Sequence, residues 1–212
     1  MLDVLVCIAL ISLSVVGALN PSGIRFSSAL RRSQTGKGKT SVQELKEELK
    51  GLCVETKNGL VASPDLRVKI STLVSEIERN SRTKKMTTSP LLEGSWKLIY
   101  TTNEGSSAGK LGPFIGDVEQ AVASTDYINY VRFPLLTAYL KADWDVLSDT
   151  VWRVNFRTIT FQLFGITVSE KPLVATGIWR KTYVDDSLRI LYASGNTISK
   201  GQLKENIYIL SK

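Results

Sequence analysis

The hydrophobic pattern of the chain changes character at the segment from Leu91 to Thr102. Before this segment, apolar positions recur mainly at helical spacing. Within it, Trp96, Leu98 and Tyr100 occupy every second position, as in a strand with one buried face. The segment therefore predicts the first strand of a body built mainly of β-structure.

Eight more strand-like runs follow, separated by short turns. They span residues 127–133, 138–147, 151–156, 158–164, 166–170, 175–183, 188–193 and 206–210. In the clearest of them, Leu140, Ala142 and Trp144 alternate with Lys141 and Asp143, which indicates an inner and an outer face. Many short antiparallel strands joined by tight turns predict a barrel or a sandwich.

Two amphipathic helices are predicted ahead of the strands, over residues 41–80. The first begins at Ser41, because Ser41 and Glu44 have the spacing of a capping box. The second begins after Ser63, which suits the N-cap position, with Pro64 at the first helical position. Such a helical hairpin either covers one end of the main domain or docks a partner protein.

The N-terminal region has the composition of a targeting segment. Residues 4–16 are apolar but number only 13, whereas a bilayer span needs ~20 residues. We interpret residues 1–18 as a signal peptide, and residues 19–40, which hold five basic and no acidic side chains, as a disordered transit-peptide-like segment. This double address predicts import into a plastid enclosed by extra membranes and a mature form without a transmembrane span; the alternative is secretion.

Composition and charge exclude several kinds of function. The chain has no histidine, which removes the common catalytic triads, ordinary zinc sites and histidine acid–base chemistry. Its net charge is +7, but residues 41–212 hold only 22 basic against 19 acidic side chains, too small an excess for a nucleic-acid-binding face. Cys53 has no partner outside the targeting segment, so we expect a buried, inert thiol, with a regulatory thiol as the alternative.

Gly94 and Trp96 resemble the motif at the start of the first strand in lipocalins. In that fold the tryptophan closes one end of the barrel beneath a basic residue from a late strand. Arg180 and Arg189 are the candidate partners here, since a guanidinium can stack on an indole ring. The alternative is that Trp96 is a core residue without such a partner.

Three segments extend this likeness to a family. Residues 60–64, 91–102 and 183–190 read LVASP, LLEGSWKLIYTT and YVDDSLRI. In this order they resemble signatures of the plastid lipid-associated protein family, also called plastoglobulins or fibrillins, over about residues 41–212. The last signature departs from the family pattern after Ile190, where LYASG replaces an Arg-Gly turn. The resemblance implies a lipocalin-like antiparallel β-barrel of about eight strands over residues 91–212, preceded by the helical hairpin.

The resemblance also implies a protein without a cofactor that binds or organises apolar lipids, such as carotenoids and quinones, at plastoglobules or thylakoids. Aromatic residues at strand spacing are the candidate lining of an internal ligand cavity: Tyr100, Trp144, Trp152, Phe156, Phe161, Trp179 and Tyr192. The alternative is a structural coat protein with a filled barrel. An enzyme that modifies xanthophylls or lipids on the same scaffold is less favoured.

Two apolar loops are candidates for contact with a lipid surface. One contains Phe114 and Ile115, and the other contains Leu135 and Leu136. If exposed, these side chains would dip into a lipid monolayer, and if buried, they would close the mouth of the barrel.

The acidic residues follow no catalytic or metal-binding pattern. Asp143, Asp145 and Asp149 fall on the polar face of a strand and in the turn after it, where solvent exposure is expected. Tyr183 and Asp185 belong to the third family signature, and we expect Asp185 to shape a turn by accepting backbone hydrogen bonds. We therefore predict no catalytic residue and no metal ligand.

Overall fold

The computed structural model describes residues 40–195 and 205–212. The predicted signal peptide lies outside this part of the chain, as does the transit-peptide-like segment except for its last residue. Within the described residues two α-helices come first, α1 (Val42–Cys53) and α2 (Pro64–Arg79). The same part of the chain has three short 3-10 helices, Met86–Thr88, Pro90–Leu92 and Ser106–Ala108.

Ten strands are found in the described part of the chain, and eight of them close into a barrel. The strands are β1 (Gly94–Thr101), β2 (Lys110–Leu111), β3 (Phe114–Ile115), β4 (Asp117–Ala123), β5 (Asp126–Arg132), β6 (Leu136–Val146), β7 (Val151–Leu163), β8 (Ile166–Val184), β9 (Leu188–Gly195) and β10 (Asn206–Ser211). The barrel order is β1-β10-β9-β8-β7-β6-β5-β4, all antiparallel, while β2 and β3 form a separate ribbon. The predicted two helices and barrel of about eight strands are confirmed.

The strand boundaries differ from the prediction in two ways. Strand β4 was missed, because the polar Gln120 occupies a buried position between Val118 and Val122 and weakens the hydrophobic alternation. Strands β7 and β8 are continuous where the pattern predicted two runs each. The break in the pattern falls at a β-bulge, where the pairing register shifts between Phe156 and Thr158.

The helical hairpin packs on the side of the barrel, not on its end. Helix α1 begins with the predicted capping box between Ser41 and Glu44, and Ser63 caps α2. The buried side chains of the hairpin meet the outer faces of β1, β8, β9 and β10. We call this set the outer cluster: Leu45, Leu49, Cys53, Ala62, Ile70, Leu73, Val74, Ile77, Tyr100, Tyr183, Leu188, Ile190 and Ile209.

A second cluster lies inside the barrel. We call it the inner cluster: Met86, Leu92, Trp96, Leu98, Val118, Val122, Tyr127, Ala142, Trp152, Val154, Trp179, Val184, Leu191, Tyr208 and Leu210. Met86 and Leu92 come from two of the 3-10 helices, which cover the end of the barrel where β1 and β7 begin. The indole N–H of Trp152 donates to the Thr87 carbonyl at 3.1 Å and holds this cover in place. We call this the closed end.

None of the described helices is long and apolar enough to cross a bilayer.

Candidate functional site

Trp96 lies buried at the closed end with two cations above its ring. Its indole N–H donates to the Leu92 carbonyl at 2.8 Å. The Arg189 guanidinium lies 4.9 Å from the ring centroid and the Lys212 ammonium 4.5 Å from it. Arg189 is fully buried and donates to the side chain of Gln120. Arg189 therefore occupies the position expected for the basic residue that covers the tryptophan.

Arg180 does not join this arrangement, so its assignment as a partner of Trp96 is wrong. It pairs with Glu205 on the outer face of the barrel and stacks on the Tyr192 ring at 4.3 Å. The reason is strand alternation, since Trp179 belongs to the inner cluster and the next residue along β8 points outward. Tyr192 is directly opposite Arg180 on β9 and packs against the outer cluster, so it does not line the interior either.

Tyr100 also lies on the outside, contrary to the prediction. Strand β1 changes register between Leu98 and Tyr100, and this bulge turns the Tyr100 ring into the outer cluster. After the bulge, Thr101 is buried opposite Tyr208, a member of the inner cluster. A strict period of two carried across the bulge therefore placed Tyr100 on the wrong face.

Four of the remaining predicted aromatics do meet inside the barrel. Trp144 stacks on Trp152 with ring centroids 4.4 Å apart, and Trp179 meets Tyr127 edge to face at 4.9 Å. Phe156 packs against the same cluster. Phe161 is buried further along β7, outside both clusters. The interior therefore holds one ring pair between the non-adjacent strands β5 and β8 and one between the neighbouring strands β6 and β7.

Apart from Arg189, the polar interior residues were not predicted from the sequence. Lys181 is buried with its amine 3.2 Å from the Trp152 ring centroid, and burial together with the nearby Arg189 charge lowers its pKa to about 5. Burial lowers the pKa of Arg189 only to about 10, so the guanidinium stays charged at neutral pH. Lys181 follows Trp179 by two positions, so strand alternation predicts that its side chain points into the barrel. Lysine is rarely buried, however, and this argues against such a prediction from sequence.

Several buried polar atoms of the interior have no hydrogen-bond partner among the described residues. They are the Tyr127 hydroxyl, Asn129 Oδ1, Lys181 Nζ and Arg189 Nε. Tyr127 is on β5 opposite Val122, and Asn129 is opposite Gln120, so both point to the interior side. The barrel core is therefore aromatic and apolar, with a polar group embedded in it that includes Gln120, Tyr127, Asn129, Lys181 and Arg189.

The turn between β8 and β9 is built around Asp185. Its carboxylate accepts the backbone N–H groups of Ser187 and Leu188 at 2.9 and 2.8 Å and the Tyr183 hydroxyl at 2.7 Å. It also pairs with the buried Lys46 of helix α1 at 2.7 Å. Burial alone would raise the pKa of Asp185, but these hydrogen bonds outweigh it and lower the pKa to about 2. The carboxylate shapes the turn and ties the helical hairpin to the barrel.

Comparison with known proteins settles the relationship that these features suggest. The model of the PAP/fibrillin family matches residues 43–199. This range covers both helices, apart from Val42, and the barrel strands through β9. The chain belongs to the PAP/fibrillin family. It is similar to the probable plastid-lipid-associated protein 5, chloroplastic, of Arabidopsis thaliana, with 28% identity over 158 residues that cover 74% of this chain and 68% of the relative. No solved structure gives a significant match.

The fibrillin barrel exposes both of the predicted apolar loops in part. Phe114 at the tip of the β2–β3 ribbon is 67% exposed and Leu135 is 57% exposed. Ile115 and Leu136 are half-buried. Ile115 lines a surface groove of about 510 Å³ together with Leu60 and Val61 from the connection between the helices.

The hairpin between β7 and β8 exposes more apolar side chains than either predicted loop. Leu163, Phe164, Ile166 and Val168 are all exposed. The hydrophobic pattern predicted two ordinary strands here, because alternation alone does not show whether a strand extends beyond its neighbours. A run without charged residues from Thr158 to Ser169 is the signal that was available.

The acidic residues of the fibrillin barrel lie where solvent exposure was expected. Asp143 forms a bidentate pair with Arg157, and Asp145 lies 4.0 Å from Arg153, both on the exposed outer face. Hydrogen bonds from Arg157 and Asn155 lower the pKa of Asp143. No three His, Cys, Asp or Glu side chains are grouped to hold a metal ion in the described part of the chain.

Proposed function

We propose that the protein associates with the surface of plastoglobules or thylakoid membranes and organises apolar lipids such as carotenoids and quinones there, without catalysing a reaction. The observation that carries this proposal is the exposure of large apolar side chains in the loops of a barrel whose interior contains paired aromatic rings. Contiguous groups of exposed apolar side chains mark surfaces that contact a partner or a lipid. Family membership and the name of the Arabidopsis relative support the plastid location.

The packing of the interior favours attachment at a lipid surface over storage of a ligand inside. A prenyl or acyl chain that reached the closed end would separate the contact between Trp179 and Tyr127 and the stack of Trp144 on Trp152. Phe114, Ile115, Leu135 and Leu136 are then the proposed contacts with lipid. This mode of action is that of a coat protein with a filled barrel.

Internal binding is a second candidate because of the polar group in the barrel. The unpartnered Tyr127 hydroxyl, Lys181 amine and Arg189 Nε suit the carbonyl oxygen of a quinone or a related polar headgroup. The aromatic side chains Trp144, Trp152, Phe156, Phe161 and Trp179 would line the remainder of such a site.

Flotation with artificial lipid droplets tests the proposed function. The full chain is mixed with droplets that have a triacylglycerol core and a galactolipid monolayer, and the floating fraction is measured. We expect most of the protein to float. Protein that stays in the subnatant at every lipid concentration overturns surface association.

Tryptophan fluorescence separates the two modes of binding. All four tryptophans are in the barrel, so an internal carotenoid or quinone would quench them in a saturable, stoichiometric way. We expect no saturable quenching by plastoquinone in detergent-free solution. Stoichiometric quenching that is abolished by Lys181→Met and Tyr127→Phe would establish the internal site instead.

The proposed route into a complex plastid rests on residues outside the described part of the chain. A fluorescent protein fused behind residues 1–40 should accumulate inside the plastid of an alga whose plastid has extra membranes. Secretion of the fusion would overturn the plastid assignment.

A further inference from the structure

The hairpin joining β7 and β8 is the longest protrusion of the described barrel. Strand β7 has 13 residues and β8 has 19, whereas β4 and β5 have 7 each. Trp152 lies at the closed end, and Leu163 lies eleven residues further along β7, which is roughly 36 Å at the rise of a strand. The turn of the hairpin is therefore remote from the closed end.

The turn places a phenylalanine at the outermost point. Phe164 and Gly165 both have positive φ, 51° and 79°, as the two central residues of a tight hairpin turn require. A positive φ is unfavourable for a bulky residue, and Asn or Gly would be the ordinary choice. Phe164 nevertheless occupies this position with 70% of its surface exposed.

The loop between β5 and β6 lies beside this turn and adds to it. The Phe164 backbone N–H donates to the Leu135 carbonyl at 2.9 Å, and Leu136 is directly opposite Leu163. The two turns together form one surface, which we call the apolar tip: Leu135, Leu163, Phe164, Ile166 and Val168.

Charged residues are missing from the whole tip. The twelve residues from Thr158 to Ser169 contain none, and neither do the eight from Phe133 to Leu140. The first charged residues beyond these segments are Arg132, Lys141, Arg157 and Glu170. Three of these four are basic. The tip thus has the charge distribution of a surface that meets hydrocarbon first and headgroups second.

A pair of tyrosines marks the boundary between the tip and the barrel. Tyr130 and Tyr139 are opposite each other on the outer face of β5 and β6, with ring centroids 5.6 Å apart. Arg132 stacks on Tyr130 at 4.3 Å, and Lys141 lies 6.0 Å from the Tyr139 ring. Tyrosine and long basic side chains favour the interface between lipid hydrocarbon and water, because each has an apolar body and a polar end.

The spacing between this pair and the tip matches a shallow insertion. Tyr139 follows Leu136 by three residues of strand, which corresponds to roughly 10 Å. Amphipathic surface elements insert to a depth of roughly 5–10 Å. A turn that protrudes from the barrel suits a deformable monolayer better than a folded protein surface.

We propose that the apolar tip inserts into the acyl layer of a glycerolipid monolayer, with Tyr130 and Tyr139 at the level of the headgroups. This inference rests on the proposed function and names the element that makes the contact. Arg132 and Arg157 are already paired with Glu119 and Asp143, so hydrocarbon burial supplies most of the attraction. The closed end and the helical hairpin stay in the aqueous phase.

The test replaces exposed side chains that support no core. The tip variant is Phe164→Ser with Ile166→Ser, and its matched control is Val54→Ser with Val68→Ser, two valines of comparable exposure in the helical hairpin. All chains carry the same residues 1–39. We expect partitioning of the tip variant to galactolipid-coated droplets to fall by about tenfold or more, while the control floats like the unmodified chain.

A fluorescent probe reports insertion directly. In a Cys7→Ser background, a polarity-sensitive dye attached to Ile166→Cys should shift to the blue when droplets are added, and the same dye on Val68→Cys should not. Cys53 is buried and does not compete for the dye.

The outcomes separate this inference from the proposed function. If the unmodified chain does not float, the proposed function fails. If it floats and the tip variant floats equally well, the proposed function stands and insertion through the tip is overturned. If the tip variant loses only self-association, as measured by sedimentation, the occupant is a second copy of the chain and the inference is again overturned.

Discussion

The Asp185 side chain both shapes a turn of the barrel and forms an ion pair with the helical hairpin. It closes the β8–β9 turn through two backbone N–H groups and also neutralises Lys46, which is buried on helix α1. The turn-forming part follows from the local sequence. The pairing joins residues 139 positions apart, so only the folded chain reveals it.

Replacing Asp185 by Asn should destabilise the protein by about 2–3 kcal/mol at pH 7, because Lys46 is left buried without a counter-charge. Since the pKa of Asp185 is lowered from 3.8 to about 2 on folding, its contribution is complete above pH 4 and is lost as the pH falls towards 2. Urea unfolding at pH 7, 4 and 2.5 should therefore show the difference between the two chains shrinking. Asp186→Asn, at the exposed neighbouring position, is the control; equal effects of both substitutions would contradict the assignment.

Cys53 should be unreactive in the folded protein. It is 2% exposed, and burial raises its pKa to about 12, so almost no thiolate is present at pH 8. In a Cys7→Ser chain, Ellman's reagent should titrate no thiol in buffer and one thiol in denaturant. Addition of an exposed cysteine by Ile166→Cys should restore a rapid reaction. Rapid labelling of Cys53 in buffer would favour the regulatory-thiol alternative.

Connections between elements decide how the helical hairpin meets the barrel. The Asn58 carbonyl accepts the Thr101 N–H at 3.0 Å, so the loop after α1 touches the end of β1. Gly59 allows this approach: its φ is +94°, and a Cβ there would lie 2.2 Å from the Thr101 carbonyl oxygen. A Gly in such a loop is predictable from sequence, but the strand that it touches is not.

Gly59→Ala should therefore cost about 2–4 kcal/mol of unfolding free energy, combining the positive φ with the steric overlap. Gly51→Ala is the matched control. Gly51 is inside α1, and a Cβ added there would meet no neighbouring atom within 4 Å, so alanine there should stabilise by about 0.5–1 kcal/mol. Guanidinium denaturation measures the free energy of unfolding of both variants. If Gly59→Ala left this free energy unchanged, the loop would be able to move away from β1.

At the scale of the molecule, the described residues form two hydrophobic cores that share four strands. The inner faces of β1, β8, β9 and β10 belong to the barrel interior, and their outer faces carry the helical hairpin. If these strands separated, the residues of both clusters would be exposed to solvent. The helices and the barrel should therefore behave as one cooperative unit.

Unfolding in urea tests this coupling. Tryptophan fluorescence reports the barrel and far-ultraviolet circular dichroism at 222 nm is dominated by the helices. We expect the two signals to give coincident transitions. Loss of the helical signal at clearly lower urea concentration would show that the hairpin is an independent unit docked on a stable barrel.

Local patterns determined the helices, their caps and most of the strands, because these depend on short-range periodicity and on cap chemistry. The closing role expected of Trp96 came from the resemblance of its motif to that of lipocalins. Tertiary structure decided the rest. The β-bulges turned Tyr100 outward and joined predicted runs into β7 and β8, since one extra residue reverses every side chain beyond it. Strand pairing placed Arg189, and not Arg180, over the Trp96 ring. It also brought Leu135 beside Phe164 to form the apolar tip. Contacts between distant residues follow from barrel closure and from the register of its strands, which no local window contains.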